Sequence, residues 1–214
     1  VSLVDYEYAD LIDQQDKVRT LIDPTSAYAS AAAFALGRSM DDEIIAAATG
    51  NAFTGATGST STPLGAGQAI TESGTDGLTL AKLRTAKEKF DLASVDPSLP
   101  RFMVVGPRQI SDLLGTTSVT SSDFNTVKAL VNGEVDTFMG FKFITSTRLA
   151  IAASKRLCLA FAGDGIKLAL GKDVMTRIDE RSDKGYSTQV YVCMSIGATR
   201  MEESKVVSIQ AHEA

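Results

Sequence analysis

One histidine, two cysteines and a run of carboxylates are the residues here whose types could do chemistry. His212 stands near the C-terminus, in a tail expected to fray. A Ser-His-Asp or Cys-His arrangement would have to use it as the base, and such a base works only when packing and a third group hold it. Zinc asks for a Cys/His cluster. Cys158 and Cys193 are far apart, each inside a strand-like run, and read as buried free thiols of a reducing compartment, with a disulfide left open by counting alone. Asp41, Asp42 and Glu43 could hold a divalent ion or act as paired acid and base. Successive residues on a helix point about 100° apart, however, so these carboxylates do not converge. Phosphate chemistry has no cradle: Gly171-Lys172 is followed by Asp173, and Gly65-Ala66-Gly67 lies in loop sequence and not between a strand and a helix. Lys142, between Phe141 and Phe143, takes the outward side of a strand. No catalytic, cofactor-binding or metal residue is nominated, and no enzyme is expected.

The composition is that of a folded globular protein: 214 residues, 44% hydrophobic and 22% charged. No apolar run approaches the ~18–20 residues that cross a bilayer, and no basic segment leads into an apolar one as in a signal peptide. Net charge is −5, with no basic face or arm to neutralise phosphates. The early carboxylates Asp5, Glu7, Asp10, Asp13 and Asp16 alternate with apolar residues and read as the solvated face of a helix.

The elements that must position these residues start with the stretch Pro24 to Gly50. Asp23-Pro24 is a helix-start signal and Gly50-Asn51 a stop, and about 25 residues between them make roughly 37 Å of helix. Its first half, Ala27 to Leu36, is small or apolar nearly all round; charge enters at Arg38 and Asp41–Glu43. Leu3 to Ile22 is expected to be short-range helix. Asn51 to Gly77 is rich in Gly, Ser and Thr and nearly uncharged, a surface loop with a strand near Ala69-Ile70. A helix capped by Thr79 follows, with Leu78 and Leu83 as a staple and Leu80, Leu83, Ala86, Phe90 and Ala93 as its apolar stripe. Arg101–Val105 is predicted as strand, Pro107–Leu114 as helix, Asp123–Val131 as helix and Phe141–Thr145 as strand. Gly163-Asp164-Gly165 reads as a hairpin turn between Leu157–Ala162 and Ile166–Leu170. Val174–Ile178 and Tyr186–Met194 alternate as two long strands joined at Ser182–Gly185, and Val206–Ile209 is a last short strand. The class is α+β.

This order of elements resembles the major capsid protein of tailed double-stranded-DNA phages, whose shell fold is shared with encapsulins and the herpesvirus capsid floor. The local sequence is similar too, at Asp5-Tyr6-Glu7-Tyr8-Ala9-Asp10-Leu11-Ile12, Leu21-Ile22-Asp23-Pro24-Thr25-Ser26 and Ala35-Leu36-Gly37-Arg38-Ser39-Met40-Asp41-Asp42. It continues at Leu113-Leu114-Gly115-Thr116-Thr117, Val135-Asp136-Thr137-Phe138-Met139-Gly140-Phe141-Lys142-Phe143-Ile144 and Ser195-Ile196-Gly197-Ala198-Thr199-Arg200-Met201-Glu202-Glu203. The number and order of these stretches carry the resemblance.

The resemblance implies a long spine helix (24–50) and a long antiparallel β-ribbon in a peripheral domain, residues 1–51 and 172–204. It implies a compact mixed α/β axial domain of residues 52–171 and 205–214. The family's N-terminal arm and extended hairpin find no room between Val1 and the spine helix. Implied partners are further copies in pentamers and hexamers, scaffold and portal proteins, and packaged DNA held without sequence-specific contact. No cofactor and no membrane is implied, and the place is the virion, assembled in the host cytoplasm. An encapsulin-type compartment is the alternative, and an enzyme or small-ligand binder using Gly55–Gly77 a remote one. The charged turn Arg38, Asp41, Asp42 and Glu43 is expected at a subunit or domain contact, with basic partners such as Lys172, Arg177 and Arg181.

Overall fold

Alanine favours helix because it loses no side-chain entropy there, and the Ala-rich stretch forms a helix, α1, over Thr25–Thr49, 25 residues long. The computed structural model describes residues 1–13, 25–71, 74–115 and 137–213. The Asp23-Pro24 start signal and the helix expected at Asp123–Val131 lie outside them. Gly50 ends α1 by donating its N–H to the carbonyl of Ala46 at 2.7 Å. A Cβ at position 50 would sit 2.6 Å from that oxygen, so the closure needs glycine.

The chain divides into two compact units, Val1–Ile44 with Leu168–Ala198, and Ile45–Lys167 with Thr199–Ala214. In the first unit a three-stranded sheet runs in the order β1-β11-β10, where β1 is Val4–Ile12, β10 Ile166–Arg181 and β11 Ser187–Arg200. A connection as short as Ser182–Tyr186 leaves β10 and β11 only the antiparallel arrangement, so the long ribbon expected from sequence is present. On β11, Val190, Val192, Met194 and Ile196 are fully buried at every second position and pack with Ala29, Ala32, Leu36 and Met40 of α1. That alternation puts α1 on one face of the sheet.

Two expectations change here. Val4–Ile12 is not helix but an edge strand, with Val4 opposite Ile196 and Ile12 opposite Thr188. Its carboxylates suit a strand as well as a helix, because an edge strand is half-solvated and charge discourages further pairing. Gly163-Asp164-Gly165 is a tight turn, its Gly165 N–H reaching the carbonyl of Ala162 at 2.8 Å, but it is not a paired hairpin. The strand before it, β9 (Lys155–Ala162), belongs to the second unit's sheet, while β10 pairs with β11.

The second unit is built on a seven-stranded sheet whose main path is β4-β12-β9-β5-β7-β6. Its strands are β4 (Ala69–Ile70), β5 (Arg101–Val105), β6 (Thr137–Phe138), β7 (Phe141–Thr145), β8 (Ile151–Ala152), which pairs with β9, and β12 (Val206–His212). β12 lies between β4 and β9, and Val206, Val207, Ile209 and Ala211 are fully buried. A strand buried along almost its whole length reads as a continuous apolar run. The helix α2 (Leu80–Leu92) starts at Thr79, whose side chain accepts from the Lys82 N–H, and Leu78 and Leu83, both fully buried, form the expected staple. Leu80, Leu83, Ala86 and Phe90 are its buried stripe, while Ala93 is exposed. Lys82 is buried at the foot of this helix, its ammonium donating to the carbonyls of Asp76, Gly77 and Gln210 at 2.9, 2.7 and 3.1 Å. Those three acceptors replace the water that a buried cation loses. α3 covers Pro107–Gly115.

The uncharged stretch after α1 is more ordered than its composition suggested. It forms β2 (Ala52–Thr54) and β3 (Thr60–Thr62), a separate two-stranded hairpin, then a 3-10 turn at Ala66–Gln68 and β4. His212 is not in a frayed tail. It ends β12 opposite Lys155 and donates its backbone N–H to the Asp76 carbonyl at 3.1 Å.

Candidate functional site

The charged turn on α1 lies within the first unit. Arg38 and Asp41 are exposed, Asp42 and Glu43 half-buried. Glu43 accepts a hydrogen bond from the hydroxyl of Tyr6 on β1. Tyr6 stands opposite Met194, so this bond lies on the face that α1 covers. The bond to Glu43 pushes the Tyr6 phenol up to about 12, with burial and the charges of Glu43 and Asp42 adding to it. Sequence reasoning missed Tyr6, although the alternation of Tyr6 and Tyr8 with Asp5, Glu7 and Ala9 is a strand signal that puts Tyr6 and Tyr8 on one face.

Lys172, Arg177 and Arg181 are exposed and line a single groove of about 390 Å3 with Met175, Asp179, Gln189 and Tyr191. Gln189 and Tyr191 alternate along β11 with the buried Val190 and Val192, so the groove lies on the sheet face opposite to α1. Arg181 donates to both carboxylate oxygens of Asp183 at 2.7 Å and to Gln189 at 3.0 Å. That bidentate contact holds Asp183 down at about 2. Tyr191 donates to Glu7 at 3.2 Å, and its phenol is pushed up to about 12 by the Cys193 contact and then by Glu7. The seven nominated residues therefore fall into two sets, Arg38 to Glu43 on the helix side and Lys172, Arg177 and Arg181 on the other.

Among the buried cations of the second unit, Arg200 and Arg156 are two that sequence reasoning did not single out. Arg200 is 5% exposed and donates to the carbonyls of Ala48 at 3.2 Å, Gly50 at 2.8 Å and Thr62 at 3.0 Å. Burial lowers its pKa, and the carbonyl-rich C-terminal end of α1 offsets that cost. Arg156, 8% exposed, donates to the carbonyls of Thr147 and Leu149 at 3.3 and 3.2 Å and grips both oxygens of Glu213. Gln109 also donates to Glu213, at 3.1 Å, and the Arg156 contact holds this carboxylate down at about 2.

Little of this can do covalent chemistry. Cys158 and Cys193 are free and buried, and burial pushes the Cys158 thiol up to about 12, far from a thiolate at neutral pH. Among the described residues no group of three His, Cys, Asp or Glu could hold a metal ion, and no helix is long and apolar enough to cross a membrane. A groove of about 620 Å3 in the second unit is lined by Lys87, Asp91, Ser94, Pro97, Arg101 and Gly140. Its Arg101 is already engaged with Asp91 at 2.8 Å and with the Val95 carbonyl at 3.3 Å, and it lies 5.5 Å over the ring of Phe90. The Gly-rich stretch Gly55–Gly77, the remote alternative for a ligand site, contributes no residue to either groove.

Comparison with known proteins gives a coherent result. The family model described as "Phage capsid protein" matches residues 1–213. No curated protein sequence matches. Among solved structures, the capsid of Ralstonia phage GP4 is similar with a TM-score of 0.73 at 11% identity, over 99% of this chain and 74% of that one. The capsid of cyanophage P-SCSP1u gives 0.71 at 17% identity, over 98% and 72%. The SrpI encapsulin of Synechococcus elongatus gives 0.63 at 11%, over 99% and 74%.

Proposed function

The chain belongs to the phage capsid protein family and is a major shell subunit, and we propose that it assembles as pentamers and hexamers into an icosahedral head enclosing double-stranded DNA. The carrying observation is the family match across residues 1–213, supported by the capsid fold of its structural relatives. Scaffold and portal proteins are its assembly partners, the host cytoplasm is where it assembles, and the role is structural, without catalysis. Residues 1–51 and 172–204 serve as the peripheral domain with α1 as spine, and residues 52–171 and 205–214 as the axial domain. The interleaved order of the two compact units supports that reading. An acidic subunit, net −5, suits a container into which duplex is driven, since an anionic wall does not trap it.

Arg38, Asp41, Asp42 and Glu43 form one half of a contact between copies, and Lys172, Arg177 and Arg181 the other. Support comes from their placement on opposite faces of one sheet, which lets the acidic turn of one copy meet the basic groove only of another. Such head-to-tail pairing is heterologous, the kind of contact that builds a ring when the rotation between copies closes. Electron microscopy of the full gene product with its assembly partners tests the function: closed shells or capsomers containing DNA are expected. Persistent monomers would overturn it, and a defined protein cargo in place of DNA would favour a compartment of the encapsulin kind.

A further inference from the structure

We infer that the hairpin β2–β3 is an assembly arm that docks on a second copy of this chain, an inference that rests on the shell-subunit reading. From Ile44 to Thr71 the sequence holds no Asp, Glu, Lys or Arg, in a chain that is 22% charged. Solvated surface is normally rich in charge, whereas the cores of interfaces are depleted of it and anchored by aromatic side chains. Every residue from Phe53 to Ser61 is exposed, and Phe53 itself is 64% exposed. Among the described residues the two strands pair only with each other, Ala52 with Thr62, Phe53 with Ser61 and Thr54 with Thr60. Both outer edges are thus open to backbone pairing, and a two-stranded hairpin alone is marginal in water.

This hairpin is nevertheless held at both ends. Ala52 is buried at its start, and Arg200 clamps its root, taking the Gly50 carbonyl before β2 and the Thr62 carbonyl on β3. At the tip, Gly58 donates to the Gly55 carbonyl at 3.1 Å, both glycines in the left-handed region. A fixed root carrying a wholly exposed, uncharged tip is the build of a docking element. The occupant follows from charge. Copies of net charge −5 repel each other, and they approach at least cost through a surface that carries none. A nucleic acid or a strongly charged partner finds no countercharge to grip there.

The test replaces Phe53 by a photo-crosslinking phenylalanine analogue in the full-length protein and irradiates the assembled product. Covalent adducts between two copies are expected. A Phe53→Asp variant should keep the wild-type circular dichroism and melting temperature, since the position is exposed, and lose assembly yield by about tenfold or more, the scale of one aromatic anchor. Shells that form without a copy-to-copy adduct at position 53, or with adducts only to another protein, overturn the inference and leave the shell reading standing. So does a Phe53→Asp variant that assembles at the wild-type yield. Copy-to-copy adducts in a preparation with neither shells nor capsomers support the contact and overturn the shell reading instead.

Discussion

Tyr6 and Glu213 owe their roles to single hydrogen-bonded charges, and each makes a pH-dependent contribution of opposite sign. The Tyr6 phenol, raised to about 12 by Glu43, contributes stability that is complete below its ordinary value near 10 and is lost as pH rises through 12. Tyr6→Phe should lower unfolding free energy at neutral pH by roughly 1–2 kcal/mol in a urea titration, and should remove one late-titrating phenol from the ultraviolet titration curve. Glu213 is depressed from 4.5 to about 2, so its contribution is complete above pH 4.5 and is lost as pH falls towards 2. Glu213→Gln should cost roughly 1.5–3 kcal/mol at pH 7, because it takes the countercharge and one of two acceptor oxygens from the buried Arg156, and the gap to wild type should close in melting curves taken towards pH 2. At this scale the sequence was only half legible. The polarity of Asp41–Glu43 and the buried state of both cysteines could be read from composition and pattern. Tyr6 as the partner of Glu43, and Glu213 as that of Arg156, are 37 and 57 positions away, and no local pattern encodes such pairs.

Helices were the more legible elements because their signals are local: a cap at Thr79, a staple at Leu78 and Leu83, a stop at Gly50. Strands depend on what lies beside them, which is why Val4–Ile12 could be mistaken for a helix and why the turn at Gly163–Gly165 suggested a pairing that its flanking strands do not make. Arg200 belongs to this scale, since one guanidinium joins the end of α1 to β3. Arg200→Lys keeps the charge but concentrates its donors on one shorter-reaching nitrogen, so it cannot span acceptors that the guanidinium serves from two separate nitrogens. A loss of roughly 1–3 kcal/mol is expected, with faster amide hydrogen exchange over residues 46–62 and little change in β1. Equal exchange in variant and wild type would show that the hairpin stands without the clamp.

At the scale of the whole molecule, the pairing proposed between the acidic turn and the basic groove makes assembly an electrostatic matter. Exposed ion pairs are individually weak and screened by salt, so their effect should appear in association and not in subunit stability. Arg177→Glu combined with Arg181→Glu should leave the melting temperature nearly unchanged while raising the protein concentration needed for assembly several-fold, as followed by light scattering. Raising salt should narrow the gap between variant and wild type, since it screens the pairs that the variant lacks. The α+β class and the shell architecture were readable because many short stretches kept a family order along the chain, a property of the ensemble that no single residue carries.

The central place of β12 has a consequence for how the chain is made. Strands β4 and β9 flank it and touch it on either side, yet both are synthesised well before Val206. While the ribosome is still working towards that residue, each of them presents a bare edge, the kind of template on which foreign strands add. The nascent second unit therefore waits, open, for its middle strand, and a chaperone that covers apolar strand edges would have its longest engagement in that interval. A subunit released by premature termination before Val206 lacks β12 and cannot complete the sheet.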